Sequence, residues 1–237
     1  MMVKLLRGAW RRARRRLAVL TGRDLFVSSE IRVDARTIGI GYGSWSIVPD
    51  LVSDDCVAYC FGLGEEISFE IEIASRTRAQ VHGFDPTPRS VAYVSAQPLP
   101  PRLTVHPLGL ADIDGDVEFG LPSVASHVSV SMARRTGDTV FLPVRRLATL
   151  HAALGDGRPI GLLKMDIEGA EYAVIRDIVA GHLRPRQIAV EFHHRFPGVG
   201  AEMTRTAIAD LRGAGYRISH VSDNGEEFLF VHELSVG

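Results

Sequence analysis

The chain has 237 residues, of which 46% are hydrophobic and 23% charged, and these proportions are typical of a globular protein with a full core. No run of about 18 apolar residues occurs, so the sequence excludes a transmembrane helix. Eight of the 27 basic residues lie within the first 23 residues, which leaves 19 basic against 28 acidic residues in the rest. A body with this negative balance is a poor partner for nucleic acid.

The first 25 residues form a basic amphipathic extension, and we take 26–237 as the folded domain. The opposite face of the predicted helix is arginine, so two interpretations stay open. The apolar stripe packs on the domain or on a second subunit, as in a homodimer, or residues 1–23 make a weak contact with a membrane surface. The apolar positions recur at steps of four and three, at Leu6, Trp10, Ala13, Leu17 and Leu20.

Strand-like and helix-like segments alternate from residue 56 onward, which predicts an α/β fold with a parallel sheet between helices. Two last strands flank Asp223-Asn224-Gly225, a strong hairpin signal, so the sheet ends in an antiparallel pair. The first strand begins with Cys56 and Cys60, which we expect to be buried reduced thiols of a cytoplasmic protein. Strands are predicted at 56–61, 81–84, 103–106, 162–165, 187–192, 216–221 and 227–232, and helices at 67–76, 170–180 and 202–212.

A glycine loop, Gly62-Leu63-Gly64, follows the first of these strands, and the next strand ends in Asp85, 23 residues after Gly62. Glycine lets a ligand approach the backbone closely, and an acid about 20 residues later is placed to hydrogen-bond a ribose diol. This pairing predicts a cofactor that contains a nucleoside.

The next two residues, Glu65 and Glu66, indicate which cofactor is bound. Two carboxylates repel a diphosphate but suit a positively charged ligand, although they also favour a helix start. The third glycine of a dinucleotide fingerprint would fall at Ile67. S-adenosylmethionine carries a sulfonium, an ammonium and a ribose diol without phosphate, so we favour it over the nicotinamide of an oxidoreductase. A second glycine-rich stretch, 39–43, lacks the acid-tipped strand and is interpreted as a lid or structural turn.

The most informative stretch, 162–171, is an apolar run that ends in Asp166, Glu168 and Glu171. A buried parallel strand delivers such side chains to the sheet edge where ligands bind. Glu191 and His193 end the next strand on one side of it and face the same edge. We predict Asp166, Glu191 and His193 as catalytic residues, with His193 as the first candidate for a general base and Asp166 as the second.

Together Asp166, Glu191 and His193 are also candidate ligands of a divalent cation, Mg²⁺ or Mn²⁺. Glu168 and Glu171 alternatively cap the following helix, Lys164 pairs with an acid, and His194 is interpreted as a surface histidine.

A resemblance to the FkbM family of S-adenosylmethionine-dependent methyltransferases extends from about residue 39 to the C-terminus. It implies a Rossmann-like class I methyltransferase whose mostly parallel, seven-stranded sheet ends in the antiparallel hairpin. It also implies O-methyl transfer to a hydroxyl of a sugar, glycan or other natural product. The residues that carry it are Lys164-Met165-Asp166-Ile167-Glu168-Gly169-Ala170-Glu171, Phe84-Asp85-Pro86-Thr87-Pro88, Gly109-Leu110 and Glu191-Phe192-His193.

The family pattern is not followed everywhere in the cofactor loop. Cys60 stands where many class I methyltransferases have an acid, and Glu66 stands at their third glycine, so Glu65 or Glu66 is expected to hold the methionine end instead. The predicted cofactor-binding residues are Gly62, Leu63, Gly64, Glu65, Ser68, Asp85, Pro86, Gly109, Leu110 and Asp166.

The acceptor-binding region is predicted in the serine-rich segment 121–137, where arginines would suit an acceptor phosphate or carboxylate. A non-catalytic nucleoside-binding module, docked through the basic N-terminus, is the remaining alternative function. The residues considered there are His127, Arg134 and Arg135.

Overall fold

The structure, a computed structural model, describes residues 18–22, 24–120 and 139–235. Most of the predicted N-terminal helix and the predicted acceptor-binding segment at 121–137 lie outside the described residues. The described α-helices and strands follow in chain order. They are β1 (Arg36–Ile38), β2 (Trp45–Ile47), β3 (Val57–Phe61), α1 (Ser68–Arg76), β4 (Gln80–Phe84), α2 (Pro88–Ser95), β5 (Leu103–His106), β6 (Gly109–Leu110), β7 (Gly115–Gly120), β8 (Thr139–Arg145), α3 (Leu147–Leu154), β9 (Ile160–Met165), α4 (Glu171–Ala180), β10 (Gln187–Glu191), α5 (Ala201–Gly213), β11 (Tyr216–Val221) and β12 (Glu227–His232).

Seven strands form the central sheet in the order β11-β12-β10-β9-β3-β4-β5. The neighbours from β10 to β5 pair in parallel, and β12 pairs antiparallel with both β10 and β11. The predicted Rossmann-like sheet with its C-terminal antiparallel hairpin is therefore confirmed. Phe61 at the end of β3 pairs with both Phe84 and Met165, so the residues that follow these three strands share one edge.

The core lies on both faces of the sheet, which explains why the central strands are apolar throughout. Every residue of β3 and of β9 is buried. Tyr59 and Phe61 pack with the residues of α4 and α5, whereas Ala58 and Cys60 pack on the opposite face with those of α1. Cys56 and Cys60 are free and buried, as predicted.

Several elements were not predicted from the sequence. Helix α2 begins with Pro88 after Thr87, and proline at the first helical position provides a favourable backbone angle. Helix α3 has only eight residues, of which Leu147 and Leu150 are buried, so its sequence shows little helical period. A small sheet, β6-β8-β7, and the β1-β2 hairpin flank the central sheet.

The end of the predicted basic extension and the residues that follow it pack closely on the domain. Leu25 is buried in the main core, and the backbone N–H groups of Glu30 and Ile31 donate to the Ile218 carbonyl of edge strand β11. Ala18 to Leu20 are helical. The division at residue 25 stays a prediction. None of the helices in the described part of the chain combines the length and apolar character needed to cross a bilayer.

Candidate active site

The glycine loop lies directly against the tip of β9. A Cβ atom built on Gly62 would sit 1.8 Å from the carbonyl oxygen of Asp166, and Gly62 has a φ of 79°. No other residue fits there without moving the backbone. Gly64, with a φ of 57°, has open space where its Cβ would be. Gly62 is thus required by the neighbouring strand, and Gly64 leaves room for a ligand.

The buried carboxylate of Asp85 ties this loop to the end of β4. Its Oδ2 accepts a hydrogen bond from the Gly64 N–H at 3.0 Å, and its Oδ1 accepts from the Thr87 N–H and hydroxyl at 2.9 and 2.7 Å. Each carboxylate oxygen can accept two hydrogen bonds, so Oδ2 keeps one acceptor position towards the loop. The structure therefore brings together the glycine loop and the acid that the sequence paired with it.

The next residues of the loop all have protein partners. Glu65 forms an ion pair with Arg89 at 2.7 Å, and Glu66 accepts a hydrogen bond from the Ser68 N–H at 2.8 Å. The Glu66 carboxylate therefore occupies the N-terminus of α1. The Ser68 hydroxyl accepts from the Ile40 N–H at 2.9 Å, which docks the 39–43 turn beside the loop.

The four remaining glycine, proline and leucine residues that were predicted to bind the cofactor contact their surroundings in different ways. Gly109 packs beside the Pro86 ring, because a Cβ on Gly109 would be 3.3 Å from Pro86 Cγ. The Leu63 and Leu110 side chains are buried in the two cores. A ligand could reach those two residues only through their backbone atoms.

Lys164 pairs with an acid, as the sequence indicated, and it also contacts the glycine loop, which the sequence did not indicate. Its Nζ donates to the Gly62 carbonyl at 2.8 Å, lies 3.4 Å from Glu70 Oε1, and sits 5.2 Å from the centre of the Trp45 ring. Burial lowers the pKa of Lys164, but the carboxylates of Glu70 and Asp166 outweigh it and hold the pKa above its usual value. A charged lysine therefore joins the loop to α1.

The three predicted catalytic side chains meet beside the loop. One ligand atom from each of Asp166, Glu191 and His193 lies within 4.8 Å of the other two. His193 Nε2 is 3.5 Å from Asp166 Oδ1 and 3.7 Å from Glu168 Oε2. Strand β9 supplies the first acid and the end of β10 supplies the other two groups.

Glu171 orients the histidine, a role that helix periodicity could not reveal. Its fully buried Oε1 accepts from the His193 backbone N–H at 2.9 Å and lies 3.2 Å from His193 Nδ1. Its Oε2 accepts from the Gly169 N–H at 2.8 Å. With Nδ1 turned to Glu171, Nε2 faces the acids of the site.

The clustered charges shift the pKa values of all three groups. Burial raises the pKa of Asp166, and burial together with Asp166 raises that of Glu191 to about 8. Burial lowers the pKa of His193, but Glu171 and the neighbouring acids outweigh it and raise the pKa to about 9. Glu227 pairs directly opposite Glu191, and burial raises its pKa as well. The site therefore crowds acidic groups whose ionisation a bound cation would favour.

The prediction that His194 is a surface histidine is wrong. Its side chain is fully buried, and its Nε2 lies 3.0 Å from Asp24 Oδ1. Phe192 and His193 are buried as well, so exposure does not alternate along the residues that end β10.

Comparisons with known proteins find relatives of this chain. The rat probable methyltransferase-like protein 24 (Rattus norvegicus) is 28% identical over 146 residues, which are 60% of this chain and 34% of that protein. This chain thus spans about a third of that relative's length.

Two solved structures resemble the chain. A methyltransferase FkbM from Methylobacillus flagellatus KT is 18% identical, with 76% of this chain and 44% of that chain covered and a TM-score of 0.46. Fibrillarin from Aeropyrum pernix, in complex with natively bound S-adenosyl-L-methionine, is 11% identical, with 85% and 84% covered and a TM-score of 0.42.

The model of the methyltransferase FkbM domain matches residues 55–218, a range that includes the glycine loop, both acidic strand ends and His193. Because this range is more than half of the chain, the protein belongs to the FkbM methyltransferase family.

Proposed function

We propose that this methyltransferase uses S-adenosylmethionine to methylate a hydroxyl of a sugar, glycan or other natural product. The observation that carries the proposal is the backbone contact between Gly62 and Asp166. It joins a loop suited to a cofactor with a cluster suited to activating a hydroxyl. Cofactor and acceptor would then meet at one edge of the sheet.

The residues of the loop fit this cofactor. Gly64 leaves open space, and Asp85 keeps an acceptor position for a ribose hydroxyl. The carboxylate of Glu66 takes the N-terminus of α1, where a dinucleotide would need to bind its diphosphate. The fit favours S-adenosylmethionine over a nicotinamide cofactor. When bound, it supplies a methyl group on a positively charged sulfur.

We assign proton removal to His193 Nε2. A sugar hydroxyl is a weak nucleophile, so taking its proton as the methyl is transferred lowers the barrier. Glu171 keeps Nδ1 as the donor and Nε2 as the acceptor, and Asp166 stabilises the imidazolium that forms. A free-protein pKa of about 9 leaves His193 mostly protonated at neutral pH, but a nearby sulfonium lowers that pKa by repulsion.

The crowding of carboxylates supports a second way to activate the acceptor. Glu191 and Glu227 lie directly opposite each other on β10 and β12, an arrangement that destabilises a sheet when both are charged. Asp166, Glu191 and His193 would hold a divalent cation, Mg²⁺ or Mn²⁺, through two carboxylates and Nε2. Such a cation acidifies a hydroxyl bound to it.

The test is transfer of a labelled methyl group from S-adenosylmethionine to a panel of sugars, glycosides and polyketide alcohols, with and without EDTA. His193→Gln should abolish transfer, whereas His182→Gln, at an exposed position away from the site, should leave it unchanged. Calorimetry with S-adenosylmethionine and with NAD⁺ checks the cofactor independently of the acceptor.

Binding of NAD⁺ without binding of S-adenosylmethionine would overturn the cofactor assignment. Near-full turnover in His193→Gln would remove the proposed base. Loss of transfer in EDTA, restored by added Mg²⁺ or Mn²⁺, would support the cation in place of the base.

A further inference from the structure

Asp24, which lies outside the site, forms polar contacts with the loop that follows β10 and carries His193. His194 Nε2 lies 3.0 Å from Asp24 Oδ1, and Arg195 donates from its Nη2 to Asp24 Oδ2 at 2.9 Å. The two residues that follow His193 therefore share one partner, 170 and 171 residues away in sequence. Asp24 lies near the end of the predicted basic extension, 1–25.

Arg195 also binds residues of the C-terminal hairpin. Its Nη2 donates to the Asn224 carbonyl at 2.6 Å, and its Nη1 pairs with Glu226 at 2.6 Å. The Glu226 carbonyl in turn accepts from the Phe192 N–H at 2.8 Å. Asp24 and the C-terminal hairpin thus converge on the residues immediately around His193.

The Asp24 carboxylate is buried between these residues. Its side chain is only 5% exposed. Burial raises its pKa, but hydrogen bonds from the Leu25 N–H, His194 and Arg195 outweigh it and lower the pKa. A buried carboxylate persists only where such partners compensate for lost hydration.

Anchoring of the N-terminal segment does not by itself explain these contacts, because a second anchor exists. Glu30 pairs with Arg212 at 2.7 Å and accepts from the Ile218 N–H at 2.8 Å. Glu30 fixes the segment to α5 and β11. Asp24, in contrast, contacts the two residues that follow the proposed base.

We propose that Asp24 is a positioning residue, which acts through His194 and Arg195 to keep the imidazole of His193 facing Asp166. The inference rests on the proposed function, since it takes the orientation of His193 to matter for methyl transfer. A residue of the predicted N-terminal extension thereby contributes to the chemistry at the end of β10.

The test compares Asp24→Asn with Glu30→Gln in the full-length chain. Both variants keep the side-chain shape and loosen the same segment, but only the first touches the loop after His193. The primary readout is the Hε1 NMR signal of His193 at fixed pH, assigned by its loss in His193→Gln. This readout needs no acceptor.

We expect Asp24→Asn to shift or broaden the His193 signal and to lower kcat about tenfold or more, because small misplacements of a reacting group are costly. The Kd for S-adenosylmethionine should stay within about twofold, because the glycine loop is untouched. Glu30→Gln should leave both the His193 signal and kcat as in the wild type. Arg195→Gln, a change at a partly exposed residue, should act in the same direction as Asp24→Asn and replaces it if that variant does not fold.

An unchanged His193 signal in Asp24→Asn, or the same change in Glu30→Gln, would overturn the positioning role. Turnover that survives His193→Gln would instead contradict the proposed base. In that case the NMR comparison still decides whether Asp24 fixes the imidazole.

Discussion

The Nδ1 atom of His193 lies 3.2 Å from a carboxylate oxygen of Glu171 that is fully buried and also accepts the His193 backbone N–H. One acid on α4 thus fixes both the main chain and the side chain at the tip of β10. Because Glu171 is closed off from solvent, it acts on the histidine and not on a ligand.

Replacing Glu171 by Gln should therefore reduce turnover about 100-fold, because the imidazole loses its orienting acceptor. The Kd for S-adenosylmethionine should change little. Steady-state kinetics with calorimetry measures both quantities. Glu202→Gln, at an exposed ion pair on α5, is the matched control, and equal kinetics in the two variants would contradict the orienting role.

Substitution of Glu70 should strongly destabilise the fold, since it leaves the buried charge of Lys164 without its partner. For Glu70→Gln we expect a loss of about 3–5 kcal/mol in the free energy of unfolding. The double variant Glu70→Leu, Lys164→Met removes both charges and should recover most of that loss. Urea denaturation measures the difference, and a loss below about 1 kcal/mol in the single variant would contradict a charged pair.

The two glycines of the cofactor loop should respond differently to alanine. Gly62→Ala forces a Cβ into the Asp166 carbonyl, so we expect severe loss of stability. Gly64→Ala meets no atom and should cost about 1 kcal/mol of backbone strain. Its main effect should be weaker cofactor binding, because the new methyl group fills the open space. Thermal unfolding and calorimetry separate the two effects, and equal stability of the variants would be evidence against the contact.

The protein should lose stability below about pH 6.5 through a buried histidine. Burial, with a contribution from His106 and Arg158, lowers the pKa of His82 to about 4. Between pH 6.5 and 4, His82 is protonated in the unfolded chain but neutral in the native state. The stability that is present above pH 6.5 is therefore lost as the pH falls towards 4.

Between pH 7 and 5 this loss should amount to about 1–2 kcal/mol in unfolding free energy. Denaturation at several pH values measures it. His82→Phe, which keeps an aromatic ring beside Tyr59 and Phe84, should flatten the dependence, whereas His182→Gln should not. A slope that His82→Phe leaves unchanged would assign the effect to other groups.

The sheet could be predicted from sequence because its signals are local. Each central strand is an apolar run that ends in glycine or acid, and parallel strands deliver those residues to a shared edge. The same rule brought Asp166, Glu191 and His193 together correctly. The hairpin followed from Asn224-Gly225.

The partners of the buried charged residues around the site could not be predicted, because they depend on which distant residues the fold brings together. Glu171 sits at the start of a helix, where an acid usually interacts with the dipole, so nothing marked it as buried. Lys164 and Glu70 are 94 residues apart, and only the packing of α1 on the sheet brings them together. Asp24 was assigned to the basic extension, so nothing in the sequence indicated its contacts with His194 and Arg195.

The close approach of Gly62 to the Asp166 carbonyl also limits how this enzyme can be re-engineered. The ends of β3 and β9 are in backbone contact here. A change that widens the acceptor side of the site would therefore also displace the glycine loop. New acceptor preferences are therefore more accessible through the periphery, such as the turn at 223–226 or the rim at 39–43. Grafting a foreign β9 tip would disturb the cofactor before it altered selectivity.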